Sequence, residues 1–164
     1  MTKDRFLILC RWFQQHPKSH AALIWCEKLS VSLFYVSYFL LLALILLRQD
    51  ASLGRALLVP AAVFLSGSLL RAKWNRPRPY EVWQIPPLIP KKTKGHGFPS
   101  RHTLSAAVIT CAWFWYLPVM GQILLPFLLL VGLVRIMAGV HFVKDVLAGL
   151  IFGGGLGFVG FFLL

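Results

Sequence analysis

Acidic residues are scarce in this chain, and so are charged residues of either sign. Only 13% of the 164 residues are charged, and five Asp or Glu stand against 17 Lys or Arg. A soluble globular domain of this length needs far more polar surface, so we exclude that class. The excess of apolar residues, 58% of the chain, indicates a surface that faces lipid.

Two further absences narrow the class of protein. The three cysteines show no CxxC spacing, so we expect free, buried thiols rather than a redox or metal site. The basic residues lie between apolar runs, so the net charge of +12 favours membrane lipid headgroups or a phosphate-bearing substrate over nucleic acid. We expect no nucleic-acid partner and no obligate protein partner.

The chain does contain five apolar runs, and a run of about 20 residues spans a bilayer as a helix. The runs cover residues 30–47, 54–74, 102–117, 122–139 and 146–164. Residues 1–29 are basic and amphipathic, which is typical of a helix that lies at the membrane interface. We therefore predict an all-α integral protein of the cell (cytoplasmic) membrane. About five transmembrane helices form its domain 30–164, and an interfacial helix precedes them.

The fifth run carries three glycines at a spacing of four residues, Gly149, Gly153 and Gly157. This spacing places them on one face of a helix, where a second helix can approach closely. A glycine-rich helix without a particular partner is the alternative interpretation.

Polar residues concentrate at one membrane face. Helices of alternating direction bring the end of the second run and the start of the third to the same side. The end of the fourth run and the start of the fifth lie there too. The long polar stretch of about 75–101 connects two of these ends, so we predict the functional site on this face.

The sequence HFVKD near the start of the fifth run carries His141 and Asp145, four residues apart. On a helix this spacing places both side chains on one face. The carboxylate would then accept a hydrogen bond from imidazole Nδ1, which leaves Nε2 free as a base or nucleophile. An i,i+4 pair on the protein surface is the alternative.

Groups that bind anions lie at the same face. Arg71, Arg78 and Arg135 occupy the ends of apolar runs, and guanidinium groups bind phosphate oxygens in pairs. Ser100 is a candidate helix N-cap beside N–H groups that attract anions, and His102 follows in the first turn. Anchoring to headgroups is the alternative role of the arginines. Their charge opposes a metal ion, and we expect no metal or other cofactor.

Three motifs in this order resemble those of the type-2 phosphatidic acid phosphatase superfamily. That family carries the patterns KxxxxxxRP, PSGH and SRxxxxxHxxxD. The corresponding stretches here are RAKWNRPRP at 71–79, PSRH at 99–102 and VRIMAGVHFVKD at 134–145. Three spaced motifs are far more specific than a single match.

The chain departs from these patterns in several places. Arg71 occupies the position of the motif lysine, and Lys73 follows two residues later. Arg101 replaces the glycine of PSGH, and Val134 replaces the serine of the third motif. The family commonly has six spanning helices, one more than the five runs of this chain.

The resemblance implies a mechanism that needs no metal. His141 attacks phosphorus and forms a phosphohistidine, Asp145 orients His141, and His102 protonates the leaving oxygen before it activates water. The residues that the resemblance assigns to the phosphate oxygens are Arg71, Lys73, Arg78, Ser100, Arg101 and Arg135.

The resemblance further implies that a lipid phosphate is the substrate. The candidates are undecaprenyl diphosphate, phosphatidylglycerol phosphate, phosphatidic acid and lipid A phosphates, and analogy slightly favours the isoprenoid diphosphate. A lipid-linked phosphotransferase and a non-catalytic lipid-binding or transport protein of the same fold are the alternatives. The distribution of Lys and Arg predicts a cytoplasmic active face, whereas the resemblance implies the outer face for many bacterial members.

Overall fold

A computed structural model describes residues 1–91 and 93–164, and every regular element within them is a helix. The helices are α1 (Lys3–Gln15), α2 (Pro17–Leu47), α3 (Leu53–Trp74), α4 (Pro79–Trp83), α5 (Arg101–Tyr116), α6 (Pro118–Met137) and α7 (Val143–Phe158), which continues into a π-helical turn at Val159–Leu163. The predicted all-α class is therefore confirmed.

Four of the described helical segments have the length and hydropathy to cross a bilayer. They are Pro17–Leu47, Leu53–Trp83, Pro118–Met137 and Val143–Leu163. The chain is accordingly a multi-pass membrane protein. The remaining predicted span corresponds to α5, whose 16 residues extend about 24 Å and fall short of a hydrocarbon core of roughly 30 Å. Because α5 packs against α3, α6 and α7, it forms the buried centre of the bundle.

The N-terminal segment has two helices instead of one. Its amphipathic part is α1, which buries Phe6, Cys10 and Phe13 on one face. Proline is well suited to the first position of a helix, and α2 begins at Pro17. No proline or glycine follows before Leu47, so residues 17–29 extend the first spanning helix.

The glycine face of α7 packs directly against α5. A Cβ atom added at Gly149 would lie 2.7 Å from the Ser100 carbonyl oxygen, and one at Gly153 would collide with the Leu104 carbonyl. At Gly157 the added atom would lie 3.1 Å from the Cβ of Cys111. The three glycines therefore bring the backbone of α7 against that of α5, as their spacing predicts.

The chain ends that carry the motifs meet on one face of the bundle. The Ser100 amide, just before α5, donates to the Asp145 carbonyl oxygen in the first turn of α7 at 2.8 Å. Helix α1 lies on this face too, because the Phe6 ring packs on Gly139 and lies 5.4 Å from the ring of Trp83. The N-terminus and the motif residues thus share one side of the bundle.

Replacing Gly153 by alanine should lower the midpoint of thermal unfolding in detergent. Overpacking of a close contact costs about 1–3 kcal/mol, and the backbone of α5 cannot move away without disturbing the motif loop. Gly154→Ala is the matched control, since a Cβ there meets nothing within 4 Å. Equal midpoints for the two variants would contradict the close packing of α5 and α7.

Candidate active site

The motif residues surround one small, strongly cationic cavity of ≈ 20 Å³. Its lining consists of Arg71, Arg78, Lys91, Arg101, His102, Arg135 and His141. Five of these seven side chains are Lys or Arg, so the cavity is suited to an anion. The structure thus brings together residues of all three motifs, as the alternation of the helices predicts.

Arg71 in the last turn of α3 occupies the position of the motif lysine. Its side chain is buried, and Nη1 donates a hydrogen bond to the carbonyl oxygen of Pro99. Lys73 is exposed and lies outside the cavity lining. Of the two basic residues, Arg71 is therefore the one that an anion in the cavity would contact.

Arg78 precedes α4 and is held by backbone carbonyls of the polar loop. Its Nε donates to the Gly95 oxygen at 3.0 Å, and Nη1 and Nη2 lie 3.4 Å from the oxygens of Val140 and His96. Glu81 stabilises the same loop, because its carboxylate accepts from the amides of Arg78 and Gly95 at 2.8–3.0 Å. Sequence analysis missed Glu81, although an acid three residues after the N-cap, here Arg78, is a recognised capping position.

His141 lies two residues before α7, and its ring is oriented by a backbone carbonyl. Nδ1 is 2.8 Å from the Gly97 oxygen, which can only accept, so Nδ1 carries the proton. Nε2 is then the free nitrogen, and it lies 3.4 Å from Nη1 of Arg78. The Gly97 carbonyl therefore fixes the tautomer that leaves Nε2 available.

The predicted arrangement of His141 and Asp145 on one helix face is wrong. Helix α7 begins at Val143, so His141 lies in the preceding turn. The Asp145 Oδ2 atom is 3.8 Å from Nδ1 of His141 and accepts a hydrogen bond from the Phe142 amide at 2.8 Å. Asp145 caps its own helix and acts on the imidazole through its charge rather than through a direct hydrogen bond.

Burial and the neighbouring cations keep the imidazole neutral. Burial, followed by the charge of Arg78, lowers the pKa of His141 to about 4, although the Asp145 carboxylate opposes this shift. Burial and the charges of Arg78 and Arg135 also lower the pKa of Lys91. At neutral pH Nε2 of His141 is therefore unprotonated, and its lone pair faces Nη1 of Arg78.

Two residues of the PSRH segment line the cavity, and its serine does not. His102 lines it from the first turn of α5, and Arg101 lines it at the mouth with its guanidinium 5.7 Å from the Phe64 ring. Ser100 is fully buried but is not part of the lining, because its Oγ accepts from Thr103 Oγ1 at 3.0 Å. The structure thus places His102 and Arg101 at the cavity and Ser100 behind it.

Two residues at or near the cavity lie outside the three sequence motifs. Lys91 comes from the polar loop and lines the cavity. Glu27 in α2 pairs with the buried Arg135, with Oε1 2.8 Å from Nη2. Sequence analysis assigned Glu27 to an interfacial segment, so its approach to Arg135, more than 100 positions away, was missed.

Two larger cavities lie near the small cationic one. A polar cavity of ≈ 260 Å³ shares Arg71, Arg78, Lys91 and Arg101 with it. The residues that this outer cavity adds include Thr93, Lys94, Gly95 and His96. An apolar groove of ≈ 420 Å³ lies between α2, α3 and α5. A narrow space between the two shares His102 with the small cationic cavity and Ser105 with that groove.

Metal-binding groups do not converge in the part of the chain that the structure describes. Within residues 1–91 and 93–164, no three His, Cys, Asp or Glu side chains are grouped as they are in a metal site. The carboxylates nearest the cavity, Glu27 and Asp145, each face a cationic or imidazole side chain.

Comparison with known proteins identifies both sequence and fold relatives. The profile of the PAP2 superfamily matches residues 52–163. The crystal structure of Aquifex aeolicus LpxE is similar to this chain with a TM-score of 0.74 and 23% identity, covering 96% of this chain and 92% of that chain. The crystal structure of a transmembrane PAP2-type phosphatidylglycerolphosphate phosphatase from Bacillus subtilis is similar with a TM-score of 0.63 and 24% identity, covering 94% and 90%. No curated protein matches the chain in sequence.

The protonation state of His141 can be measured directly. We expect its imidazole to stay neutral from pH 8 down to about pH 5, because its pKa is lowered to about 4. Nitrogen-15 NMR of histidine-labelled protein reports the protonation of each ring, and His141→Asn identifies the signal. A midpoint near 6.5, the ordinary value for histidine, would contradict the burial of the ring between cations.

Proposed function

The chain belongs to the PAP2 superfamily, and we propose that it is a lipid phosphatase of the cell membrane. It would hydrolyse a phosphate monoester or diphosphate of a lipid through a phosphohistidine intermediate. The observation that carries this proposal is a neutral imidazole nitrogen facing a small cavity lined by five cationic side chains.

In the first step, the Nε2 lone pair of His141 attacks the phosphorus atom of the bound phosphate. An N–P bond forms and the bond from phosphorus to the leaving oxygen breaks; that oxygen belongs to the lipid alcohol in a monoester and to the inner phosphate in a diphosphate. His102, protonated once the bound phosphate offsets the charge of the surrounding cations, donates its proton to the leaving oxygen. Arg71, Arg78 and Arg135 hold the other phosphate oxygens and stabilise the charge that develops on them. Asp145 stabilises the positive charge that forms on the ring of His141.

In the second step, water hydrolyses the phosphohistidine. His102, now neutral, accepts a proton from the water, whose oxygen attacks phosphorus and displaces Nε2. The N–P bond breaks, inorganic phosphate leaves, and His141 and His102 return to their initial states. The guanidinium groups supply the positive charge throughout, so we propose that the reaction requires no metal ion.

The cavities around the site support an amphiphilic substrate. The narrow space lined by His102 and Ser105 shares Ser105 with an apolar groove that includes Tyr38, Leu57 and Phe64. Hydrocarbon placed there would bury apolar surface, and its leaving oxygen would lie beside His102. A lipid tail in the groove and a phosphate in the cationic cavity would thus be bound at the same time.

The outer cavity favours a diphosphate as the headgroup. Its lining includes Lys91, Lys94 and Arg101, beyond the three arginines assigned to the scissile phosphate. These cations would bind the inner phosphate group, which leaves with the lipid when the terminal phosphate occupies the small cavity, and would neutralise a charge that a monoester does not carry. We therefore place lipid diphosphates ahead of lipid monophosphates as substrates.

Phosphate release from lipids of defined headgroup tests this proposal. The purified protein in detergent should release phosphate from a polyprenyl diphosphate with a higher kcat/KM than from the monophosphate of the same polyprenol. His141→Ala should reduce release by at least about 1,000-fold, since it removes the nucleophile. Chelation with EDTA should leave the rate unchanged.

Asp50→Asn is the control variant, because Asp50 is exposed and lies at the opposite end of α2 and α3. Its activity should equal that of the wild type. Retained release by a folded His141→Ala protein would overturn the mechanism. Release from no lipid phosphate in the panel would overturn the assignment as a lipid phosphatase.

A further inference from the structure

We infer that Glu27 of α2 is a positioning residue that holds Arg135 in the geometry needed to bind the phosphate. The inference rests on the proposed function, since it assigns a partner to one of the proposed phosphate-binding arginines. Glu27 lies outside the region 52–163 that matches the PAP2 superfamily. It therefore belongs to a part of the chain to which no role in the reaction has been given.

The contact between the two side chains is short and enclosed. Glu27 Oε1 lies 2.8 Å from Nη2 of Arg135, whose side chain is 3% exposed, while that of Glu27 is 22% exposed. The described residues form two ion pairs. One joins Glu27 to Arg135, and the other joins Asp145 to a histidine, His141. The charge of a carboxylate so placed attracts one edge of the guanidinium and leaves its other N–H groups for the cavity.

Packing around Glu27 holds the carboxylate in place. Leu23, one turn earlier in α2, is buried in a cluster with Phe13 and Val134, the residue before Arg135. One turn later, the buried Ser30 hydroxyl donates to the Glu27 carbonyl oxygen at 3.2 Å. The backbone of α2 is thus packed against α6 one turn before the ion pair, and a side-chain hydrogen bond within α2 follows one turn after it.

The charge of Arg135 needs this partner. Arg78, Lys91 and Arg101 line the same small cavity, and like charges in a buried site repel one another strongly. A carboxylate on the side away from the cavity offsets this repulsion before the substrate arrives. Without it, the guanidinium would turn towards solvent or towards Asp145, the acid that lies beside His141.

Arg135 also transmits its position to His141. The carbonyl oxygen of Arg135 accepts hydrogen bonds from the amides of Val140 and His141 at 3.2 and 3.3 Å. This turn fixes the backbone position from which the imidazole side chain of His141 extends. Glu27 therefore acts on both the phosphate-binding group and the nucleophile through a single residue, Arg135.

A double-mutant cycle of Glu27 and Arg135 tests the inference. Glu27→Ala should lower kcat on the order of tenfold to a hundredfold, as displacement of a catalytic group by about 1 Å does, with a smaller change in KM. In the Arg135→Ala background the same substitution should have no further effect on kcat, because Glu27 acts through Arg135. Glu27→Gln keeps the size of the side chain and removes only its charge, so it should retain more activity than Glu27→Ala.

The affinity for inorganic phosphate, measured by calorimetry in detergent, gives a second readout without turnover. It should fall in Glu27→Ala and stay at the wild-type value in Asp50→Asn. An equal loss of kcat on removing Glu27 with and without Arg135 would overturn the inference and show a general structural role. Wild-type kcat and phosphate affinity in Glu27→Ala would overturn it too.

These outcomes separate the two proposals. If the wild type hydrolyses no lipid phosphate but binds phosphate, and Glu27→Ala binds it more weakly, the proposed function fails while the role of Glu27 in anion binding stands. If it hydrolyses lipid phosphate and Glu27→Ala does so equally well, the inference fails alone. If the wild type neither binds phosphate nor hydrolyses lipid phosphate, both are wrong.

Discussion

The repulsion among cationic side chains around one small cavity is the constraint on which the site depends. Arg71, Arg78, Lys91, Arg101 and Arg135 line a space of ≈ 20 Å³ beside a membrane-spanning bundle. Gathering like charges in a poorly solvated place is costly unless each has fixed partners. Backbone carbonyls supply most of those partners, and a bound phosphate would supply the rest. The repulsion among these side chains therefore contributes to the binding of an anion, because a bound anion relieves it.

The chain has few acidic residues, and each of those near the site has a structural role. Three of the chain's five acids, Glu27, Glu81 and Asp145, lie there. Glu27 pairs with Arg135, Glu81 anchors the loop whose carbonyls hold Arg78, and Asp145 caps α7 beside His141. None of the three forms a salt bridge with the guanidinium groups of Arg71 or Arg78, which therefore keep their charge for the substrate.

The sequence was sufficient to predict which residues form the site, but not which contacts hold their side chains in place. Alternating spans and three motifs were enough to bring Arg71, Arg135 and His141 to one face, because helix direction alone decides that placement. The spacing of His141 and Asp145 led to a wrong prediction of one shared helix face, because α7 starts only at Val143 and His141 lies in the turn before it.

The partners of the motif residues were missed for a different reason. The Gly97 carbonyl that orients His141 is a backbone group, and every residue has one, so no residue type marks it. Glu27 pairs with Arg135 only because α2 extends back to Pro17 and lies against α6, and composition assigned that segment to the membrane interface. Contacts between distant parts of the chain depend on helix packing, which a pattern of residue types does not specify.

The central claim is that His141 carries the phosphoryl group between lipid and water. Rapid acid-free quenching of the protein with a lipid diphosphate labelled at its terminal phosphate would test it most directly. His102→Ala is included because its loss should slow attack by water more than departure of the lipid phosphate, which is a weakly basic leaving group. The account predicts a label that is stable to alkali, labile to acid, located on the peptide containing His141 and absent from His141→Ala. Turnover by the wild type with no such label in either protein would contradict it.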